Sequence, residues 1–210
     1  MFIRRLLHCL AVALLATGSH ALYAQDKTPD ALVMEISGGV LDTVKSDNSI
    51  RAGDLQKVIA LVDAKVMPHV DFERMTASAV GRHWRQASPE QQKKLQQEFK
   101  ALLVRTYSGA LSEVKDQTVQ LKPSRSRPED AEVVVRTEVR GRGDPIQLDY
   151  RLEKTPAGWK IYDVNVLGVW LVQNYRNSFT QEITANGIDG LIAKLAERNK
   201  AAAGAPAGKS

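Results

Sequence analysis

The sequence predicts an α+β protein in which a curved, antiparallel, four-stranded sheet packs against a helical layer and encloses an apolar cavity. Three observations carry that expectation. From Pro29 to Val114, apolar residues recur at three- and four-residue steps, the spacing of helices with one buried face. From Asp116 to Val166, they recur at every second position between short glycine-bearing turns, the spacing of strands with one apolar and one wet face. Within Gly158 to Phe179 the period changes from strand to helix, with Gly168 at the corner. A sheet and the helix covering it are joined by such a hinge.

Residues 1–24 are expected to stand outside this fold as a signal peptide. Arg4 and Arg5 precede the apolar run Leu6 to Ala16, and small residues follow, with Ala24 as the favoured cleavage position and Ala21 as the alternative. The run is well short of the ~20 residues that a spanning helix needs. Cys9 lies inside it and is the only cysteine, so the remainder of the chain must rely on its core rather than on disulfides. Loss of Arg4 and Arg5 lowers the formal charge from +5 to about +3. That mild basicity suits brief contact with anionic lipid surfaces and falls far short of a nucleic-acid-binding signature.

The helical half opens at Thr28-Pro29, a capping residue followed by a proline suited to the first helical position. Leu32, Val33, Ile36, Val40, Leu41 and Val44 form its stripe; Gly38-Gly39 in the middle reads either as a loose helix or as a close approach to a neighbour. A second helix from about Asp54 carries Leu55, Val58, Ile59, Val62 and Val66 and is broken by Met67-Pro68-His69. Asp71 caps a third helix with Phe72, Met75 and Val80, ended or bent at Gly81. Ser88-Pro89-Glu90-Gln91 carries the residues of a capping box and opens a long helix to about Val114, with Leu95, Phe99, Leu102, Leu103, Thr106, Tyr107 and Leu111 on its apolar side.

In the sheet half, Val119 and Leu121 alternate first. Val133, Val135, Thr137 and Val139 follow after a polar loop, then Ile146, Leu148, Tyr150 and Leu152 after the Gly141–Asp144 turn, with Asp149 and Glu153 on the wet side. Trp159 to Val166 makes the last strand. Helices are expected over Val169–Ala185 and Ile188–Asn199, broken at Asn186-Gly187, and the alanine- and glycine-rich residues 200–210 form a disordered tail.

Catalysis has little to work with. His69 and His83 have no histidine or cysteine at metal-ligand spacing, and no nucleophile elbow, phosphate loop or cysteine nucleophile is present. Asp163 is the best candidate for a functional carboxylate, with a structural role as an arginine partner or helix start as the stronger reading. No catalytic residue, metal site or cofactor is assigned. The apolar inventory points instead to a binding protein. A helix stripe ending in Tyr107, a sheet face with Leu148 and Tyr150, and the hinge residues Val169 and Trp170 are expected to face inward, either as packed core or around a cavity.

Three blocks resemble the MlaC or toluene-tolerance family of periplasmic phospholipid-binding proteins. The first runs Val70-Asp71-Phe72 through Met75 to Gly81-Arg82-His83-Trp84-Arg85. The second runs Ser88-Pro89-Glu90-Gln91 through Phe99 and Leu102-Leu103 to Thr106-Tyr107. The third runs Gly158-Trp159-Lys160-Ile161-Tyr162-Asp163-Val164, then Gly168-Val169-Trp170-Leu171-Val172, Tyr175-Arg176 and Phe179, and closes on Gly187-Ile188-Asp189-Gly190-Leu191-Ile192. Trp170 departs from the small serine of many relatives.

The resemblance implies a lipid-binding domain over residues 25–199, exported to the periplasm. It implies a carrier that shelters the acyl chains of a phospholipid and shuttles it between an outer-membrane lipoprotein–porin complex and an inner-membrane Mla-type ABC transporter, maintaining outer-membrane lipid asymmetry. Phe72, Met75, Phe99, Leu103, Tyr107, Val135, Leu148, Tyr150, Val164, Val166, Val169, Trp170 and Tyr175 are the expected cavity residues. Arg82, Arg85 and Arg176 are expected at the head group, at acidic partner surfaces, or in ordinary surface salt bridges. Alternative readings are a hopanoid or other hydrophobic-ligand carrier of the same family, which Trp170 would favour by reshaping the cavity, and a small cone-fold enzyme pairing Asp163 with Tyr107 or Tyr150.

Overall fold

The computed structural model describes residues 27–204 apart from 124, 125 and 128, with side chains described as far as residue 201. The expected signal peptide and residues 205–210 lie outside the described residues. Helix α1 (Pro29–Ser46) starts where Thr28 accepts a hydrogen bond from the Ala31 amide. Three further helices follow: the short α2 (Asn48–Arg51), α3 (Leu55–Lys65) and α4 (Phe72–Val80), with a 3₁₀ turn at Met67–His69 and another at Gly81–Gln86. Asp54 and Asp71 cap α3 and α4 through their carboxylates. Helix α5 (Pro89–Ser112) has the full capping box: Ser88 Oγ accepts from Gln91 N, and Gln91 Oε1 accepts from Ser88 N.

The sheet is an antiparallel meander of five strands in sequence order, β1 (Thr118–Leu121), β2 (Glu132–Arg140), β3 (Ile146–Thr155), β4 (Gly158–Val166) and β5 (Val169–Trp170). The fifth strand corrects the expected count of four. Val169 and Trp170 read from sequence as the first turn of a helix. Instead they pair with Val166 and Asn165 across a two-residue turn in which Leu167 and Gly168 take φ of 52° and 90°. Positive φ at both positions matches the twist of a tight hairpin, and a leucine there costs about 1 kcal/mol. Helix α6 (Leu171–Gly204) begins only after this turn-back and bends at Gly187, where φ is 73°. It continues five residues past the expected end at Asn199, so the first part of the expected tail is helical.

One irregularity decides which way β4 faces. Leu152 pairs with Ile161 but Arg151 pairs with Asp163, so Tyr162 is an extra residue in β4. This bulge shifts the alternation by one. Ile161, Val164 and Val166 therefore share the inner face with Val133, Val135 and Thr137 of β2 and Leu148, Tyr150 and Leu152 of β3. Asp163 and Asn165 turn to the outer face with Asp149 and Arg151.

The buried apolar residues fall into three clusters. Helices α4, α5 and α6 contribute Met75, Leu95, Phe99, Leu102, Phe179, Ile183, Leu191 and Leu195 to the first. Leu32, Val33 and Ile36 of α1 close on Val133, Val135, Leu152 and Ile161 in the second. Val44, Ile50, Val58, Leu61 and Val114 form the third. Val70 and Val164 touch both of the first two. No helix among the described residues is long and apolar enough to cross a membrane.

Candidate functional site

Between the clusters, the apolar stripes continue past the point where anything covers them. On α5, Leu95, Phe99 and Leu102 are buried, Leu103 and Tyr107 are half-buried, and Thr106 and Ala110 on the same side are exposed. The inner face of the sheet shows the same run-out. Val133, Leu152 and Ile161 are sealed, Tyr150, Leu148, Val164 and Val166 are half-open, and Val169 and Ile146 are 49% and 41% exposed. Leu103, Val164, Val172 and Tyr175 edge the helical cluster, while Tyr150 and Val164 edge the α1–sheet cluster. The half-open residues of α5, α6 and the sheet thus form an apolar surface that the helices and the sheet leave only partly covered.

Tyr150 shows how such a position behaves. Burial pushes its phenol well above the usual value, and its hydroxyl lies 3.4 Å from Ser37 Oγ, yet the residue keeps accessible surface. Tyr107 is raised in the same direction, first by burial and then by the neighbouring Tyr175. Tyr175 in turn packs edge-on against Phe99, with ring centroids 5.0 Å apart, and Phe179 lies 5.5 Å away.

Of the residues expected to line the cavity, Leu103, Tyr107, Leu148, Tyr150, Val164, Val166, Val169 and Tyr175 keep accessible surface on this partly covered face. Met75, Phe99 and Val135 do not: all are at most 3% exposed and packed on every side within the clusters. Phe72 lies with Phe99, centroids 5.8 Å apart, and borders a separate hollow of about 430 Å³ with Val70, Gln96 and Lys160.

Trp170 is the clearest correction. Its register partner is Asn165, which pairs with Asp149, which pairs with Arg136, so Trp170 belongs to the outer face. There the Arg151 guanidinium lies 3.9 Å from the centre of the indole ring. The support that Trp170 gave to a ring-lipid cavity is therefore removed. Asp149 was expected on a solvated strand face but is only 5% exposed, with Gln147 Nε2 donating to it at 2.6 Å. A hollow of about 650 Å³ also lies against the sheet, lined by Asp130, Glu132, Arg136, Arg151 and Tyr162.

Asp163 fills both structural roles considered for it. Its Oδ2 accepts from Arg151 Nη1 at 3.1 Å, and its Oδ1 accepts from the amides of Val164 at 2.9 Å and Val172 at 3.1 Å. Val172 is the second residue of α6, so the carboxylate caps that helix. The group is 1% exposed, and burial raises its pKa against the pull of those donors. It lies on the outer face, away from Tyr150 and Tyr107, so the pairing expected for a cone-fold enzyme is not assembled. Among the described residues, no group of three or more His, Cys, Asp or Glu side chains is placed to hold a metal ion.

Arg82, Arg85 and Arg176 are exposed. Among the described residues none of them has a carboxylate within salt-bridge distance. The 3₁₀ turn puts Arg82 and Arg85, three residues apart, on one side. Arg176 joins them across Gly81: a side chain there would come within 3.4 Å of Arg176 Nε, and its φ of 68° also favours glycine. Sequence reasoning missed Ser37, the hydroxyl facing Tyr150, because only the tertiary fold brings α1 to that strand.

An open antiparallel sheet with an apolar face, backed by helices that leave part of that face uncovered, defines an α+β protein with an incompletely covered apolar face. The family to which it belongs follows from sequence. Residues 35–197 match the MlaC protein family, and the chain is a member of it. It is 22% identical over 174 residues to the intermembrane phospholipid transport system binding protein MlaC of Haemophilus influenzae, covering 81% of each chain. It is 24% identical over 187 residues to the toluene tolerance protein ttg2D of Pseudomonas putida, covering 86% of this chain and 87% of that one. Among solved structures, it superimposes with a TM-score of 0.82 on a phospholipid-binding protein from Ralstonia solanacearum in complex with a phospholipid. That match is 48% identical and covers 84% of this chain and 99% of the other.

Proposed function

We propose that this protein is a periplasmic phospholipid carrier of an Mla-type transport system. The acyl chains lie in the cleft between α5, α6 and the inner sheet face, and the head group stays at the open end. The observation that carries this reading is the run-out of both apolar stripes into uncovered surface, in a chain 48% identical to a protein solved with a phospholipid. Each methylene taken from water into an apolar site is worth about 0.8 kcal/mol, so shelter alone makes a two-chain lipid portable, with no cofactor or covalent step. Residues 1–24 act as the export signal and 25–199 as the lipid-binding domain. The partners are an outer-membrane lipoprotein–porin complex and an inner-membrane ABC transporter, and the unpaired Arg82, Arg85 and Arg176 offer cationic contacts to lipid head groups or acidic partner surfaces.

The test is native mass spectrometry of protein purified without detergent, followed by extraction and identification of lipid. A two-chain phospholipid near one per protein is expected. A folded protein that carries no lipid and takes none from vesicles would sink the reading, and a co-purified hopanoid would replace the cargo.

A further inference from the structure

The cleft is apolar except for a few hydroxyl groups, and those groups differ in what they already bond. Thr137 Oγ1 donates to Leu148 O at 2.7 Å and Thr106 Oγ1 to Leu102 O at 2.8 Å. Ser37 and Tyr150 face each other at 3.4 Å. Of the four tyrosines among the described residues, Tyr150 and Tyr162 have hydroxyl partners, Ser37 and Glu132, while Tyr107 and Tyr175 have none. Neither of these two hydroxyls is sealed in the interior, and both tyrosines keep accessible surface.

Both belong to the helical wall. Tyr107 lies two turns beyond Phe99 on α5, and a helical side chain of that size leans back toward the helix N-terminus, here toward Leu103 and Phe99. Tyr175 of α6 packs on Phe99 with centroids 5.0 Å apart. The two phenols therefore converge from neighbouring helices where the stripe passes from buried to exposed. Their rings are held by apolar contacts and their O–H groups are unspent. An unpaired hydroxyl at the edge of an apolar site is a donor waiting for an acceptor.

Resting on the carrier reading above, we infer that Tyr107 and Tyr175 donate hydrogen bonds to the ester carbonyls of the bound lipid, fixing its depth in the cleft and selecting ester-linked over ether-linked chains. The ester carbonyls are the first polar atoms above the acyl chains, and they accept without donating. The phosphate above them carries charge and suits water and the exposed arginines better than a half-buried phenol. The sheet wall offers no comparable free donor, because the hydroxyl of Tyr150 already faces Ser37. The glycerol backbone accordingly leans toward α5 and α6.

The test offers the full-length purified protein mixed vesicles holding equal amounts of a diester phosphatidylglycerol and its diether analogue of the same chain length, and reads the bound species by native mass spectrometry. The wild type should favour the diester roughly two- to ten-fold for each hydrogen bond made. Tyr107→Phe and Tyr175→Phe keep the rings and should each reduce the preference; the double variant should take both lipids about equally. A wild type without preference overturns the inference, as does a preference that survives in the double variant. Equal losses of both lipids on substitution would also overturn it, by assigning the phenols to the phosphate. If the wild type takes neither lipid, the carrier reading fails, and this inference with it.

Discussion

Asp163 holds three structural features at once: the Arg151 pair, the adjacent Val164 amide within β4 and the first turn of α6. Asp163→Ala removes the acceptor from two amides and should cost about 2–4 kcal/mol in denaturant unfolding. Asp163→Asn keeps one acceptor oxygen and should cost about 1 kcal/mol. The pH dependence has a definite sign. Burial raises the native pKa above its ordinary 3.8, so the folded state holds the proton more tightly than the unfolded chain. The stability Asp163 contributes is thus fully present below that ordinary value and is lost as pH rises through the native one. The advantage of wild type over Asp163→Asn should shrink from pH 4 upward; an advantage that grows over that range refutes the assignment. Trp170→Ser gives a contrasting result. It removes the Arg151 stack, worth about 0.5–2 kcal/mol, but it lies on the outer face and should leave lipid content unchanged. A lipid-depleted but folded Trp170→Ser protein would return this side chain to the cleft. Sequence placed both residues in the right segment. It gave Asp163 its partner types, because few roles suit a lone carboxylate beside a helix start. It could not give Trp170 its face, which depends on the positive-φ turn at Leu167.

Among the elements, those with local signals were readable. The capping box at Ser88, the breaks at Pro68 and Gly187, and the alternation of β2 and β3 follow from residues close in sequence. The two-residue β5 and the four-residue α2 were missed because elements so short have no period to detect. The β4 bulge left a trace: the inward residues Ile161 and Val164 are three apart, not two, although which residue is extra is decided by pairing with β3. Tyr162 is that residue, and it also packs under the Arg74 guanidinium, 3.7 Å from its ring centre, while its hydroxyl donates to Glu132. Deleting Tyr162 should abolish native folding rather than trim one contact, because the shift sends Val164 and Val166 outward and Asp163 and Asn165 into the apolar face. Loss of the cooperative thermal transition in circular dichroism is the expected result. A stable, lipid-competent deletion variant would show that the bulge does not set the face.

At the scale of the molecule, three core clusters and a partly uncovered apolar face replace one continuous core. Periodicity revealed which residues turn inward, but packed and uncovered inward positions look alike in sequence. Met75, Phe99 and Val135 were therefore grouped with Leu148 and Tyr150, although only the latter two keep accessible surface. Burial that the chain does not complete by itself leaves stability for a ligand to supply. A ligand at about a hundred times its dissociation constant stabilises the folded state by about 2.7 kcal/mol, which for a domain of this size raises the melting temperature by roughly 5–11 °C. Lipid-loaded protein should melt that much higher than the same protein after lipid removal. Leu148→Trp tests whether the gain comes from the cleft. Leu148 sits half-open on the inner face between Thr137 and Val166, so a larger ring can extend into the cleft without displacing packed neighbours. The variant should fold, carry little lipid and melt at the same temperature with or without vesicles. Full lipid occupancy in a folded Leu148→Trp protein would move the acyl chains elsewhere, and an undiminished lipid-dependent rise in melting temperature would show that the stabilising contacts lie outside the cleft.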